Sequence, residues 1–374
     1  SVLTKPIKHI KSAYILVPVV FLLGNLLSLV IPSASNLAII LLATLFPVLV
    51  QSGMSSLTAA GVIATTATVM PTPLGSDNVA IAEELAQTTQ FAGLTPTDYV
   101  FRYHAIVSIP TLLVMALVHY FWQRFMDKKT KGSLAGAGEA EIRDVKPIEG
   151  GALFKTVYAI LPLLPILLLI VVFFIGSFTD LNISISVEVA TLFSFVVAII
   201  CQIIRRRKAK EALDGTEAFF KGMGGAMPIV ALLVAASVFV TGLKAIGLIQ
   251  ALQDAMVGIQ GGGLGFVLPL ILLALTALIV LLSGSGTALF FAMVPLMVPL
   301  AAAAGINVLA ISIPMGLAGN LLRAVSPVSA VTMIVAGSVK RSPIEVVKRT
   351  SLPMIVGTVF MFILSMIVFL PMGA

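Results

Sequence analysis

Residues 157–175, 187–204 and 352–370 are apolar along almost their whole length. At about 1.5 Å per residue, a helix of roughly 20 such residues spans the hydrocarbon of a bilayer. Inside hydrocarbon every backbone N–H and C=O must find a partner within the protein, which leaves helices and closed barrels. The alternating short segments of a barrel are not seen in this sequence. Composition agrees: 59% of the 374 residues are hydrophobic, 10% are charged, and mean hydropathy is +1.12. A soluble domain carries about a quarter charged residues. The expected class is an all-α, polytopic membrane protein.

The net charge of +7 points to topology, not to nucleic acid, because Lys and Arg cluster at residues 5–11, 124–155, 205–221 and 340–349. The single cysteine, Cys201, precludes an internal disulfide. The first apolar run follows Lys5, Lys8 and Lys11 without a small-residue cleavage site, so it is expected to stay in the protein.

Two segments, residues 32–86 and 282–337, share one pattern. Each opens on a small polar cluster, Ser33-Ala34-Ser35-Asn36 or Ser283-Gly284-Ser285-Gly286-Thr287, and runs into an apolar helix holding Pro47 or Pro295. A second apolar helix follows, then a Pro/Ser/Thr-rich break and a short apolar segment. A charged stretch and a full-length apolar helix (105–125, 351–370) close each unit.

Suppose residues 13–31 with 38–51, and 264–282 with 288–304, form re-entrant hairpins whose tips are the polar clusters. Residues 57–70 and 306–322 then begin two broken helices. This arrangement puts 20 of the 23 Lys and Arg on one face, the exceptions being Arg102, Lys244 and Arg323. That face is the cytoplasm by the positive-inside rule, and the repeats are inverted. Such repeats with interrupted helices are how secondary transporters hold substrate near the midplane.

The expected divisions are repeat 1 over residues 1–126, a cytoplasmic loop over 127–155 and repeat 2 over 156–374. Three apolar segments and a Gly-rich connection at 258–265 precede the second hairpin, but only twelve residues precede the first. Leading scaffold helices of repeat 1 are therefore expected to be missing from this chain.

Arg323 lies about seventeen residues from each end of its broken helix, too far for its head to snorkel to an interface. Burying it there costs about 2.5–3.5 kcal/mol even on the lenient insertion scale. A guanidinium presents a planar fork that matches a carboxylate, so Arg323 is read either as a substrate ligand or as a partner of Asp77. Asp77, within Thr72-Pro73-Leu74-Gly75-Ser76-Asp77-Asn78, is a candidate for the coupling proton, a cation ligand with Asn78, or a helix cap. The tip residues Ser33, Ser35, Asn36, Ser283, Ser285 and Thr287 offer hydroxyls and N–H groups at helix N-termini, where an anion is favoured. Thr72, Ser76, Asn320, Ser326 and Ser329 complete the candidate binding set.

His104 and His119 are assigned to helix ends at the interface, and Tyr120 and Trp122 to an aromatic belt. Enzyme and ATPase motifs are not found in the sequence, so the reading is a transporter, with an anion channel as the alternative of another class. No cofactor is expected beyond a coupling H+ or Na+, and no nucleic-acid partner.

The stretches LLATLFPVLVQSGMS, ALVHYFWQRFMDKK, SGSGTALFFA, GINVLAISIPM, NLLRAVSPVSAVTMIVAG and SPIEVVKRTSLPMIVG resemble the DcuC-type anaerobic C4-dicarboxylate transporters of the ion-transporter superfamily. The resemblance implies exchange or ion-coupled movement of succinate, fumarate and malate across a bacterial inner membrane. It also implies opposed hairpins and a homodimer working by an elevator motion. The chain departs from the family pattern at three places: the family carries Asn where Thr287 stands, more often reads Thr-Ser-Gly-Asp where this chain reads Thr72 to Asp77, and differs at the first tip. Related families move amino acids and other organic anions, which stay open as substrates.

Overall fold

Serine side chains start five of the helices. Ser33, Ser55, Ser186, Ser329 and Ser342 each accept a hydrogen bond from the backbone N–H three residues on, satisfying a donor that a helix N-terminus leaves orphaned. Ser342 forms a full capping box with Glu345. Gly284 and Gly305 end two helices in the left-handed conformation, at φ +76° and +64°.

The structure, a computed structural model, describes residues 13–69, 71–130, 151–179, 183, 185–207, 209–224, 227–247, 251 and 265–373. The lysines at 5, 8 and 11, loop residues 131–150 and most of the Gly-rich connection at 258–265 lie outside them.

Regular structure among the described residues is all helical. The first part comprises α1 (Ala13–Ser28), α2 (Ala34–Thr44), α3 (Phe46–Gln51), α4 (Ser56–Ala64) and α5 (Ser76–Ala86). A turn at Pro96–Asp98 and a π-helical segment, Tyr99–His104, lead into α6 (Ala105–Thr130). Then follow α7 (Ala152–Ile160), α8 (Leu164–Phe178), α9 (Val187–Arg206) and α10 (Met227–Ala245). The last part comprises α11 (Val267–Ser283), α12 (Thr287–Ala304), α13 (Leu309–Leu322), α14 (Ala330–Ser338) and α15 (Pro343–Phe369). Six helical spans among the described residues are long and apolar enough to cross a membrane.

The outer surface explains the composition. On α6, Ile106, Ile109, Leu113, Leu117, Phe121 and Phe125 recur every three or four residues and are exposed, as are Ile355, Val359, Ile363 and Ile367 on α15. An apolar stripe on the outside of a bundle requires an apolar solvent, the lipid tails. The inner faces of these two helices cross each other. At the crossing a Cβ on Gly357 would lie 2.5 Å from Met115 Cγ, so only glycine permits the approach. α15 also packs on α13 and α4, α11 on α13, α1 on α6 and α4, and α10 on α12, while α8 and α9 pair with each other.

Several boundaries differ from the apolar pattern. α4 stops at Ala64 because Thr65, Thr66 and Thr68 turn their hydroxyls back onto the carbonyls of Val62, Ile63 and Thr65, at 2.8–2.9 Å. Asn25 Oδ1 then accepts from the N–H groups of Thr68 and Val69. Pro47 divides the segment after the first tip into α2 and α3, whereas Pro295 sits inside α12 without breaking it. Pro162 and Pro165 split the 157–175 run, with a 3-10 turn between α7 and α8. α6 continues to Thr130, past the expected loop boundary at 127.

The histidines are also differently placed. His104 and His119 are buried, not interfacial. His119 Nε2 lies 3.1 Å from Thr65 Oγ1, its Nδ1 lies 3.3 Å from Gln123 Nε2, and its ring packs 5.0 Å from Phe21. It occupies the α1/α4/α6 junction because an α6 residue needed by the threonine turn must face inward.

Arg349, one of the clustered basic residues, is fully buried too. Its Nη1 donates to Asp127 Oδ1 at 2.7 Å, and Asp127 also accepts from Ser55 Oγ at 2.8 Å and Thr58 Oγ1 at 3.0 Å. This ion pair ties the start of α4 to the end of α6 and the start of α15. Removing one partner leaves a buried unpaired charge, at a cost of about 3–5 kcal/mol. Asp127→Ala is therefore expected to lower the unfolding temperature in detergent well below that of the parent. The double change Asp127→Leu with Arg349→Met should recover most of the loss, as thermal-shift measurements can check.

Candidate functional site

Both polar tips and both helix breaks converge on two adjoining cavities. The smaller, about 150 Å³, is lined by Pro32, Gly75, Ser76, Asp77, the second tip from Gly284 to Thr287, Phe290, Asn320 and Arg323, among others. The larger, about 440 Å³, is lined by Ser33, Ser35, Ser283, Ser285, Arg323 and Ser329, among others. Pro32, Gly284, Ser285 and Arg323 border both.

The breaks are held by matched contacts. In the first, Thr72 Oγ1 donates to the carbonyl of Leu29 at 3.0 Å, beside the end of α1. In the second, Ser326 Oγ donates to the carbonyl of Leu281 at 3.0 Å, near the end of α11. Each hydroxyl satisfies a carbonyl freed where the chain leaves the helix. Asn78 Nδ2 donates to the carbonyl of Thr72 at 2.9 Å and so closes the first break on itself. Thr72, Asn78 and Ser326 are buried in these frames and do not line either cavity. Asn36 is exposed, and its backbone N–H is used by the Ser33 cap.

The second tip is seated by two glycines. A Cβ on Gly284 would stand 2.7 Å from Ser329 Cα, and one on Gly286 would stand 2.9 Å from Gly319 Cα. Gly284 is left-handed as well, so both space and backbone angle demand glycine. The seating leaves Ser283, Ser285 and Thr287 exposed at the cavities, with Ser285 Oγ donating to Thr287 Oγ1 at 3.3 Å.

Asp77 sits in the first turn of α5, where negative charge is favoured. Its Oδ1 accepts from the N–H of Asn78 at 3.0 Å and its Oδ2 from Asn320 Nδ2 at 2.9 Å. Arg323 donates through Nη2 to the carbonyl of Ala67, just beyond the end of α4. Cation and carboxylate thus share the smaller cavity without an ion pair, and the expected Arg323–Asp77 partnership is replaced by Asn320–Asp77 and Arg323–Ala67. Arg323 lines the same cavities as tip residues Ser33, Ser35, Ser283 and Ser285, and a guanidinium there is suited to a carboxylate.

Sequence reading did not single out Gly284, Gly286 and Gly319, whose small size shapes the cavity, nor Phe290 and Phe291, which form its apolar wall. The glycine-serine alternation at 283–286 was the available signal. Among the described residues, no group of three or more His, Cys, Asp or Glu gathers to hold a metal ion.

Lipid-facing helices around an interior polar cavity that holds one guanidinium, one carboxylate and a ring of hydroxyls define a membrane transport protein for a small polar solute. The DcuC family model, described as C4-dicarboxylate anaerobic carrier, matches residues 1–370, and the chain belongs to this family. The anaerobic C4-dicarboxylate transporter DcuC of Escherichia coli strain K12 is 36% identical over 361 residues, covering 96% of this chain and 74% of that protein. A probable anaerobic C4-dicarboxylate transporter DcuC of Vibrio cholerae is 37% identical over 373 residues, covering 99% and 77%. A putative uncharacterized transporter of Haemophilus influenzae is 28% identical over 291 residues, covering 74% and 95%.

Gly284→Val should push the tip off Ser329. Substrate-induced thermal stabilisation is expected to vanish, while the unfolding temperature without ligand changes by only a few degrees.

Proposed function

We propose that this protein carries small C4-dicarboxylates such as succinate, fumarate and malate across a bacterial inner membrane, by exchange or by symport coupled to H+ or Na+. The observation that carries the reading is Arg323. Arg323 borders both cavities together with residues of both tips, and among the described residues it forms no ion pair. One substrate carboxylate binds the guanidinium and the tip hydroxyls carry the other, with Ser33, Ser35, Ser76, Ser283, Ser285, Thr287, Asn320 and Ser329 around it. Thr72, Ser326 and Asn36 support this set from behind, and Asp77 with Asn78 serves ion coupling. The E. coli and V. cholerae relatives, named as an anaerobic C4-dicarboxylate transporter and a probable one, support the substrate class.

The frame of the reading is two inverted repeats, residues 1–126 and 156–374, joined by a cytoplasmic loop over 127–155. Each repeat has a re-entrant hairpin and a broken helix. Two features support it. The Thr72–Leu29 and Ser326–Leu281 bonds occupy equivalent positions in the two segments. The packing is reciprocal as well: α5 lies on α12, and α14 lies on α2, so each outer half-helix meets the opposite hairpin. A homodimer moving the site by an elevator motion fits this frame.

Losing a charge-assisted hydrogen bond costs about 1.5–3 kcal/mol, and two together exceed a hundredfold in affinity. Arg323→Ala is expected to reduce succinate uptake into proteoliposomes by at least about a hundredfold at normal protein level. Succinamate, with one carboxylate amidated, should compete poorly with succinate in the parent. Undiminished uptake by the variant would refute the assignment.

Asp77→Asn keeps the hydrogen-bonding shape and removes the ionisable proton. Uptake driven by a pH gradient should collapse, while succinate counterflow persists. An unchanged response to the gradient would remove Asp77 from coupling.

A further inference from the structure

Behind Asp77 lies a group of buried polar side chains that substrate binding does not use. Along α13, Asn320, Gly316 and Ser312 follow one another at four-residue spacing and so share a face. Asn320 holds Asp77. At Gly316 the side chain of Ile81 closes in, 3.0 Å from where a Cβ would stand. One turn further, the Ser312 hydroxyl faces the phenol of Tyr99, outside hydrogen-bonding geometry, and the segment that Tyr99 opens packs on α5, which carries Asp77.

Tyr99 opens the π-helical segment and His104 closes it. A π-turn brings residues five apart to one side, and such turns recur at functional sites. The two rings stand 6.1 Å apart between centroids. Ser108 lies one α-helical turn beyond His104 on the same face.

Tyr99 Oη, His104 Nδ1, Ser108 Oγ and Ser312 Oγ are all buried and have no hydrogen-bond partner among the described residues. None of the four residues is more than 2% exposed. A dry orphan of this kind costs about 1–3 kcal/mol, and four in one neighbourhood would be a heavy burden. Internal water meets such groups, making about three hydrogen bonds per molecule.

We propose that Tyr99, His104, Ser108 and Ser312 enclose an internal water site, and that this water passes protons between Asp77 and the membrane face opposite the basic clusters. The direction follows from the chain. α6 runs from the π-segment to the basic cluster that starts at Arg124, so the π-segment lies towards the other face. A proton given by the water to the Asp77 carboxylate is replaced from that face, so the water is restored after each passage.

The charged groups on the packed elements are few. α5 carries Asp77, Glu83 and Glu84; the adjoining turn carries Asp98, bound to Arg102 at 3.0 Å; Arg323 follows the end of α13. Those of α6 itself, Arg124, Asp127, Lys128 and Lys129, sit at its far end.

The proton route rests on the coupling role of Asp77, and the two are separable by experiment. X-ray hydroxyl-radical footprinting with mass spectrometry on the full protein reads the water directly. Tyr99 and His104 should be oxidised several-fold faster than His119, which is equally buried but fully partnered. Rates no higher than that of His119 overturn the water site, whatever Asp77 does.

In proteoliposomes, Tyr99→Phe with Ser312→Ala should cut pH-gradient-driven succinate uptake about tenfold and leave counterflow within twofold. Equal loss of both, or loss of neither, overturns the route. If the double variant fails to fold, the single Tyr99→Phe carries the same comparison. Persistence of gradient-driven uptake in Asp77→Asn overturns the coupling reading and the route, but not the footprint.

Discussion

A helix interrupted within a membrane frees carbonyls that lipid cannot satisfy. Here the hydroxyls of Thr72 and Ser326 take up this task, bonding carbonyls near the ends of α1 and α11. The positions of Asp77 and Arg323 follow from those two bonds. Asp77 starts the half-helix that emerges from the first break, and Arg323 closes the half-helix that enters the second. Asn25 does comparable work from α1, accepting from the N–H groups that end the threonine turn.

The protein handles its two buried arginines in opposite ways. Arg349 is buried and neutralised by Asp127, with the Thr58 hydroxyl beside it. That pairing suits a fixed joint between three helices. Arg323 receives only a carbonyl at the negative end of α4, although a carboxylate lines the same cavity. Asn320 takes that carboxylate instead. A neutral amide on Asp77 leaves the guanidinium without the direct ion pair that would have cancelled its charge.

Membrane class, helical content and the convergence of the polar stretches were legible because hydropathy and small-residue clusters are local signals. Ser33, Ser35, Ser283, Ser285, Asn320 and Arg323 could be picked out by the oddity of polar groups in apolar runs. The finer outcomes depended on partners far along the chain. The sequence shows that Thr65, Thr66 and Thr68 can end a helix, but not that Asn25 accepts the N–H groups of Thr68 and Val69. Arg349 and Asp127 each look like ordinary charges beyond a membrane span, and only their approach across α6 and α15 reveals an ion pair. His119 looked interfacial for the same reason: its partners Thr65 and Phe21 come from helices remote in sequence.

The second tip meets Gly319 of α13 and Ser329 before α14 main chain against main chain, at Gly286 and Gly284. The gap available to a bound molecule is thus set by covalent backbone geometry, which does not relax as a side chain would. Under the proposed binding role, tolerance for substrate size becomes a property of how the two segments are docked. In that same role, chemical preference rests with the exposed hydroxyls of Ser283, Ser285 and Thr287. Dimension and polarity are written in separate parts of the same five-residue loop, so one can drift while the other is held.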